Sequence, residues 1–207
     1  MAFGASGVVA VELGSNQLRL IHGAVSGPKA KVYDFAAEEI LVSNAESAAQ
    51  QLSVLVAHKK LRSSSAALAL SGPGVVHRVL DFPPMPLKEL KIVVEREMRT
   101  ATGAGGDDVL FEWEVIQGAE SEDLKQVQVL VAISHRSEVA QAQELLRQCG
   151  LKPTLLTTAP ISLLRSLKFV QGEGMGLQVI LYIGGQQGYL LGVKNGAWSF
   201  YREFSSR

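Results

Sequence analysis

The sequence has a single cysteine, few charged residues and no long hydrophobic run. Cys149 is the only cysteine in 207 residues, and one thiol can form neither an internal disulfide nor a cysteine metal cluster. No uninterrupted apolar segment reaches the roughly 18 residues of a membrane-spanning helix. Residues 1–7 lack the basic start of a signal peptide. We therefore expect a soluble protein of a reducing cytoplasm, without direct membrane insertion.

The charges of the sequence balance, and much of the chain is apolar enough to form a folded core. Lysine and arginine together number 20, aspartate and glutamate also number 20, and 47% of the residues are hydrophobic. A chain without net charge has no overall field that attracts nucleic acid or an anionic membrane. The composition therefore predicts a globular protein without a nucleic-acid partner.

Residues that commonly perform catalysis are scattered along the chain. His22, His58, His77 and His135 lie far apart and lack the spacing of a metal centre. Ser15 has no recognisable histidine and aspartate companions for a hydrolase triad. We therefore predict no catalytic residues.

Apolar periodicity predicts eleven strands and four helices. The first helix begins at a capping box formed by Ser43 and Glu46, and the second has the apolar stripe Leu87, Leu90, Val94 and Met98. The third runs from about His135 to Cys149 and is capped by Gly150. The fourth is capped by Thr158. The strands are Val8–Leu13, Leu18–Gly23, Lys29–Glu38, Ala66–Ser71, Val75–Phe82, Val109–Ile116, Gln126–Ile133, Leu151–Leu156, Gln178–Ile183, Tyr189–Val193 and Ala197–Phe204.

An internal repeat relates two distant parts of the chain. Residues 9–17 (VAVELGSNQ) align without a gap on residues 179–187 (VILYIGGQQ), and each segment is an apolar strand followed by a glycine turn. The alignment matches Glu12 with Tyr182 and Gly14 with Gly184. The two segments are either ordinary hairpins or equivalent turns of two related subdomains, whose backbone N–H groups would hold phosphate oxygens.

The candidate nucleotide-binding residues lie in and beside these turns. Glu12 is either a magnesium ligand, since carboxylates coordinate hard cations, or a solvated acid at a strand end. Arg19 either neutralises phosphate or points outward from its strand. The full set is Glu12, Gly14, Ser15, Asn16, Gln17 and Arg19 in the first hairpin, and Gly184, Gly185, Gln186 and Gln187 in the second.

An ordered series of motifs resembles the PilM-like proteins of type IV pilus assembly, in the FtsA and PilM branch of the actin-like ATPases. Residues 12–19 stand where the first phosphate loop of that family resembles D-I-G-S-S-S-V-K, and residues 82–90 carry its L-P-x-M-P-x-x-E-L pattern. Residues 131–132, 150–153 and 158–160 are similar to its V-A, G-L-x-P and D-T-x-P segments. The resemblance covers essentially the whole chain.

The resemblance implies an α/β protein with an actin-like, ribonuclease-H-like fold, an inserted β-α-β-β subdomain and an incomplete second half. We expect residues 1–74 with 151–171 to form the first subdomain, residues 75–150 the inserted one, and residues 172–207 the start of the second half. The cluster Gly72-Pro73-Gly74 marks the first boundary, because regular elements rarely cross such a cluster.

The resemblance also implies a cytoplasmic scaffold of a pilus assembly machine, held at the inner membrane by docking the cytoplasmic tail of a PilN-like protein. The alternatives are an ATP-hydrolysing actin-like protein, an FtsA-like division protein and a type II secretion assembly component, and self-association stays open. Where the second loop of the family begins with aspartate, this sequence has Tyr182. We therefore predict weak nucleotide binding at most, and ATP with magnesium only in a longer form.

Overall fold

The structure is a computed structural model that describes residues 7–14, 17–40, 45–61, 64–70, 74–102, 108–117, 126–171, 176–184, 187–195 and 197–205. None of its described helices is long and apolar enough to cross a bilayer. The elements follow the predicted order and are β1 (Val8–Leu13), β2 (Gln17–Ser26), β3 (Lys29–Glu39), α1 (Ala45–His58), β4 (Ser65–Leu70), β5 (Val75–Phe82), α2 (Leu87–Thr102), β6 (Val109–Gln117), β7 (Val127–His135), α3 (Arg136–Gln148), β8 (Lys152–Thr158), α4 (Ala159–Gln171), β9 (Leu177–Ile183), β10 (Gln187–Lys194) and β11 (Ala197–Ser205).

The described strands form three sheets. The largest has the order β3-β2-β1-β4-β8, in which the first three strands are antiparallel and β4 runs parallel to both of its neighbours. The other two sheets have the orders β5-β7-β6 and β11-β10-β9, and both are antiparallel. This mixture of helices with parallel and antiparallel strands confirms the predicted α/β class.

One hydrophobic core is shared by the largest sheet and helices α1 and α3. Val9 and Leu20, on neighbouring strands, have no exposed surface, and the same is true of Leu52 in α1 and Leu146 in α3. Alternate strand residues and helix residues three or four positions apart lie on one side of each element. The apolar spacing of the sequence therefore decides which side of each element is buried.

Contacts within the chain separate two compact units, Pro73–Val139 and the remaining residues. The smaller unit contains β5, α2, β6 and β7, in the predicted β-α-β-β order, and its core includes Leu90 and Met98 of α2 with Val129 of β7. The unit ends within α3 rather than near residue 150, because Leu146 belongs to the core of the larger unit. The other subdomain boundaries stay predictions.

Several element ends test the sequence predictions. Gly150 has a φ of 78°, and the N–H of Leu151 donates to the carbonyl of Leu146 at 2.9 Å, which confirms the predicted glycine cap. Strand β8 runs to Thr158 rather than ending at Leu156, because its last residues stay paired with β4. The capping box predicted for α1 involves Ser43, which lies outside the described residues.

The cysteine predicted to lie on α3 follows the last residue of that helix. Cys149 is buried, and its thiol donates to the backbone carbonyl of Ala49 at 3.3 Å. Burial raises the pKa of this thiol to about 11. The thiol is therefore protonated at neutral pH, whereas nucleophilic and metal-binding cysteines need the thiolate.

Candidate functional site

The two predicted turns have the same backbone hydrogen bond. The N–H of Gly14 donates to the carbonyl of Gln17 at 2.8 Å, and the N–H of Gly184 donates to the carbonyl of Gln187 at 2.9 Å. A Cβ atom at Gly184 would lie only 2.7 Å from the Gln187 carbonyl oxygen, so this turn requires glycine. In each hairpin, the glycine N–H is therefore used inside the turn.

The strand positions that precede the turns are also equivalent. Glu12 of β1 lies opposite Arg19 of β2, and Tyr182 of β9 lies opposite Tyr189 of β10. The first hairpin thus carries an ion pair where the second carries two aromatic rings. These rings stack with their centroids 5.4 Å apart and their planes 18° apart.

The side chains of the two hairpins meet at Glu12. The hydroxyl of Tyr182 donates to Glu12 Oε1 at 2.8 Å, and Nη1 of Arg19 donates to Glu12 Oε2 at 2.9 Å. Arg19 also lies 3.4 Å from the Tyr182 hydroxyl and donates through Nη2 to the side-chain oxygen of Gln17. We call this set of four residues the Glu12 cluster. It joins β1 and β2 to β9 through side-chain contacts.

The electrostatics of the Glu12 cluster favour a charged Arg19 and a protonated Tyr182 at neutral pH. The hydrogen bond to Glu12 raises the pKa of Arg19, so this guanidinium stays charged. Burial, followed by the hydrogen bond to Glu12, raises the pKa of Tyr182, so its hydroxyl stays protonated and able to donate. A charged acceptor strengthens both hydrogen bonds.

The ring of Tyr182 is held in place from two sides. Besides the stack with Tyr189, its Cε1 lies where a Cβ atom on Gly184 would approach to 3.1 Å, so the ring covers this glycine. The hydroxyl then reaches Glu12. Packing of the ring therefore fixes the position of the Tyr182 hydroxyl.

The Glu12 cluster does not fit a magnesium ion as it is arranged. Both carboxylate oxygens of Glu12 accept hydrogen bonds, and one of them pairs with a cation, which would repel a second cation. Magnesium also requires near-octahedral oxygen coordination, whereas Tyr182 offers a protonated hydroxyl. Across the described ranges, no group of three or more His, Cys, Asp or Glu residues could hold a metal ion.

The predicted nucleotide-binding residues are thus only partly located. Glu12, Gln17 and Arg19 come together in the cluster, and Gly14 lies in its turn beside them. Gly184 and Gln187 close the second turn. Four predicted residues lie outside the described part of the chain, and these are Ser15, Asn16, Gly185 and Gln186. The nucleotide-binding role of the set stays a prediction.

Sequence reasoning missed the role of Tyr182 as a direct partner of Glu12. From the sequence, Tyr182 was only a residue in place of the aspartate of the family's second loop. In the fold, Tyr182 and Glu12 are in contact although they are 170 positions apart in the chain. The internal repeat was a partial signal, since it places the two residues at the same position of equivalent hairpins. It does not show that the hairpins face each other, so the hydrogen bond itself could not be predicted from it.

The contact between Glu12 and Tyr182 predicts an energetic coupling between these residues. In a double-mutant cycle of Glu12→Ala and Tyr182→Phe, we expect a coupling of about 1 kcal/mol in the free energy of unfolding, because the bond is charge-assisted but partly exposed. The Glu12 side chain is 28% exposed and that of Arg19 is 42% exposed, so solvent screens the site. Urea denaturation of the four proteins measures the coupling.

The matched control for this cycle is Glu38→Ala combined with Tyr182→Phe. Glu38 is an exposed acid on β3 of the same sheet, so its coupling to Tyr182 should be near zero. Equal couplings in the two cycles would show that the contact contributes nothing in solution.

Comparisons with known proteins first concern sequence. Neither a scan against protein-family models nor a search of curated proteins gives a match. The similarities that follow are therefore similarities of structure.

The solved structures that match nearly the whole chain include three with a TM-score above 0.5. One is a PilM-PilN type IV pilus biogenesis complex, with a TM-score of 0.79, 24% identity, and coverage of 96% of this chain and 61% of that one. Another is the cytoplasmic domain of EpsL, an inner-membrane component of the type II secretion system of Vibrio cholerae, with a TM-score of 0.58, 14% identity and coverage of 97% and 71%. The third is the ethanolamine utilization protein EutJ of Carboxydothermus hydrogenoformans, with a TM-score of 0.51, 15% identity and coverage of 99% and 54%.

These similarities concern the fold. The chain spans about three fifths of the length of the chain that it matches in the PilM-PilN complex. At these identities, shared architecture does not by itself transfer an activity. The resemblance to PilM-like proteins stated from the sequence is confirmed at this level, and the chain has an actin-like fold.

Proposed function

We propose that this chain is a cytoplasmic scaffold of a type IV pilus assembly machine that docks the cytoplasmic tail of a PilN-like inner-membrane protein. The observation that carries the proposal is the agreement of fold with a PilM-PilN complex over 96% of the chain, at a TM-score of 0.79. That complex contains a second protein, so a binding role is the direct analogy. The tail would also keep the scaffold at the membrane.

The Glu12 cluster supports a scaffold rather than a nucleotide hydrolase. Hydrolysis of ATP needs a placed metal ion and an oriented water, whereas the oxygens of Glu12 accept bonds from Tyr182 and Arg19. The proposal therefore assigns weak nucleotide binding at most to the two turns. A binding platform needs neither the metal nor the water.

A role in type II secretion is the second candidate. The fold agrees with the cytoplasmic domain of EpsL over 97% of this chain, although the TM-score of 0.58 is lower. EpsL is itself an inner-membrane component, so both candidates place the chain beside the inner membrane. They differ in the machine to which the chain would belong.

Binding of membrane-protein tails tests the proposal. We expect a synthetic peptide with the cytoplasmic tail of a PilN-like protein from the same host to bind with a dissociation constant of roughly micromolar, because a short segment must order when it binds. Calorimetry with a scrambled peptide as the control measures the effect. Tails of single-span type II secretion proteins from the same host form the second arm.

The outcomes separate the candidates. Preference for the secretion tail would move the function to that machine. If no tail binds more tightly than its scrambled version, the scaffold proposal is wrong.

A further inference from the structure

One edge of the largest sheet collects exposed lysine residues. Strands β1, β4 and β8 are parallel and begin at this edge, and the antiparallel hairpin places the end of β2 and the start of β3 there as well. Lys29 and Lys31 lie at the start of β3, Lys60 lies in the turn before β4, and Lys152 begins β8. All of them are exposed. We call this set the basic end.

The acids of the larger unit do not neutralise the basic end. Asp34 is paired with Lys59 at 2.6 Å, and Glu144, near the end of α3, is paired with Arg147 at 3.5 Å. Within the described ranges, no ion pair joins an acid to a lysine of the basic end. Residues 38–39, both glutamate, lie at the opposite edge of the sheet. The balanced net charge therefore hides a separation of charge along the sheet.

The basic end is wide rather than concentrated at one point. Lys29 and Lys152 lie on the first and last strands of a five-stranded sheet. Neighbouring strands are about 4.8 Å apart, so the array is about 19 Å wide. Lysine presents a point charge, whereas the planar fork of arginine suits a single phosphate or carboxylate. Spread lysines thus match a surface that carries many anionic groups.

Lys60 has a backbone conformation that normally belongs to glycine. Helices α1 and α3 end in the same motif, in which a residue of positive φ follows the helix and the next N–H donates back to the last turn at 2.9 Å. In α3 this residue is Gly150, with a φ of 78°, whereas α1 has Lys60, with a φ of 56°. A side chain is unfavourable in this conformation. The fold therefore favours glycine at position 60, which indicates a role for the lysine side chain outside the fold.

The hairpin of β2 and β3 projects from the basic end. Residues 24–31 extend past Val8, the first residue of β1. At the base of this projection Val32 is 58% exposed and Tyr33 is 47% exposed, and Nζ of Lys31 lies 5.5 Å from the centre of the Tyr33 ring. Tyrosine, lysine and apolar side chains together are typical of the membrane–water interface.

The dimensions of the projection fit the headgroup layer of a bilayer. Three residue pairs beyond β1 extend about 10 Å, and the headgroup layer is about 6 Å thick on each side of the hydrocarbon core. With the tip in this layer, the lysines on the rest of the edge lie within the Debye length of about 8 Å from the charged surface. All parts of the basic end can therefore act together on one surface.

The composition of the hairpin distinguishes a membrane from other anionic partners. An acidic protein segment, from this chain or another, or a nucleic acid would neutralise the lysines by charge alone. Neither of these gives a role to the exposed Val32 and Tyr33 beside them. An anionic lipid surface uses the charges and the apolar side chains at once.

We propose that the basic end docks on an anionic lipid surface, with its lysines facing the headgroups and the tip of the β2-β3 hairpin within the headgroup layer. This inference goes beyond the proposed function, because the docking of a tail is a contact with protein and this is a contact with lipid. Vesicles without protein test it separately, so its failure leaves the tail-binding proposal standing.

Sedimentation with lipid vesicles tests the proposal on the full chain. Vesicles of equal parts phosphatidylcholine and phosphatidylglycerol supply the anionic surface, and phosphatidylcholine alone is the neutral control. Each lysine close to an anionic surface strengthens binding by roughly fivefold, so we expect a preference of at least about 100-fold for the anionic vesicles. High salt should release the chain, because it screens the charges.

Charge variants locate the binding. Lys31→Gln with Lys152→Gln should weaken binding to the anionic vesicles by at least about tenfold. The matched control is Lys88→Gln with Lys91→Gln, which removes the same charge from exposed positions of helix α2 and should leave binding unchanged. Thermal melts check that each variant is folded.

The variant Lys60→Gly separates binding from stability. Glycine suits the φ of 56° at this position, so the midpoint of thermal unfolding should rise by about 2 to 4 °C. The same variant loses one lysine and should bind the anionic vesicles about fivefold more weakly. A purely structural lysine would not produce a gain in one property and a loss in the other.

Soluble polyglutamate distinguishes lipid from an acidic protein segment. Tyr33→Ser should weaken binding to the anionic vesicles and leave the binding of polyglutamate unchanged. The proposal is wrong if the anionic and neutral vesicles bind equally, if neither binds, or if Lys31→Gln with Lys152→Gln binds like the parent chain. It is also wrong if polyglutamate displaces the chain from the vesicles at an equal concentration of charge, because an acidic segment would then be the better occupant.

Discussion

Incubated with ATP and magnesium, this chain is expected to release phosphate no faster than buffer alone. Hydrolysis requires phosphates held in place, magnesium beside them and a water oriented for attack. Both oxygens of Glu12 accept hydrogen bonds, so this carboxylate is not free to hold magnesium. The pKa of Tyr182 is raised, so its hydroxyl stays protonated and cannot take a proton from water. Loss of a single stabilising group commonly costs about 10² to 10³ in rate. A phosphate-release assay, with an active actin-like ATPase as the positive control, measures this result.

The variant Glu12→Ala is the control for this assay. It removes the one carboxylate of the cluster. Because the parent chain is expected to have no turnover that this carboxylate could support, both proteins should release phosphate at the same background rate. Turnover by the parent chain that disappears in Glu12→Ala would contradict the prediction and favour the hydrolase alternative. Nucleotide affinity is measured separately by calorimetry, because weak binding without turnover agrees with the proposed scaffold.

Much of the fold could be predicted because local patterns decide it. The alternation of apolar residues in β9 and β10, and the glycine after α3, lead to strands and a helix end through short-range sterics and burial. The repeat of residues 9–17 at 179–187 predicted two equivalent hairpins. In both, a glycine N–H closes the turn on a glutamine carbonyl.

The contacts of the site could not be predicted in the same way. The bond between Tyr182 and Glu12 joins residues 170 positions apart, and it depends on how two hairpins approach each other. No propensity or spacing within one hairpin contains that information. The end of β8 also differed from its prediction, because pairing with β4 extends the strand to Thr158. Tertiary contacts thus decided what local preference left open.

The exposure of β9 is a second feature that local sequence patterns do not decide. The sequence predicted an apolar strand here, aligned with β1, and in β1 the equivalent residues Val9 and Val11 are buried. The structure leaves Val179 and Leu181 uncovered. Apolar composition indicates that a surface will be covered, but it does not say which element covers it.

Acid should destabilise the smaller unit, Pro73–Val139, through His77. Burial lowers the pKa of His77 from its ordinary 6.5 to about 4, so the unfolded chain binds a proton at a higher pH than the folded chain does. His77 therefore leaves the free energy of unfolding unaffected well above pH 6.5, and it lowers this free energy as the pH drops from 6.5 towards 4. The expected loss from this group at pH 4 is about 3 kcal/mol in the free energy of unfolding. Hydrogen exchange of β5 and β7 amides between pH 7 and pH 4 follows it, once rates are corrected for intrinsic exchange.

The variant His77→Gln isolates this effect, because glutamine does not titrate. Its absolute stability can differ from that of the parent chain, so the quantity compared is the change in stability between pH 7 and pH 4. Every other pH-dependent contribution is common to the two proteins and cancels in the difference. We expect the variant to lose about 3 kcal/mol less than the parent over this range. Parallel losses in the two proteins would show that His77 is protonated as readily in the folded chain as in the unfolded one.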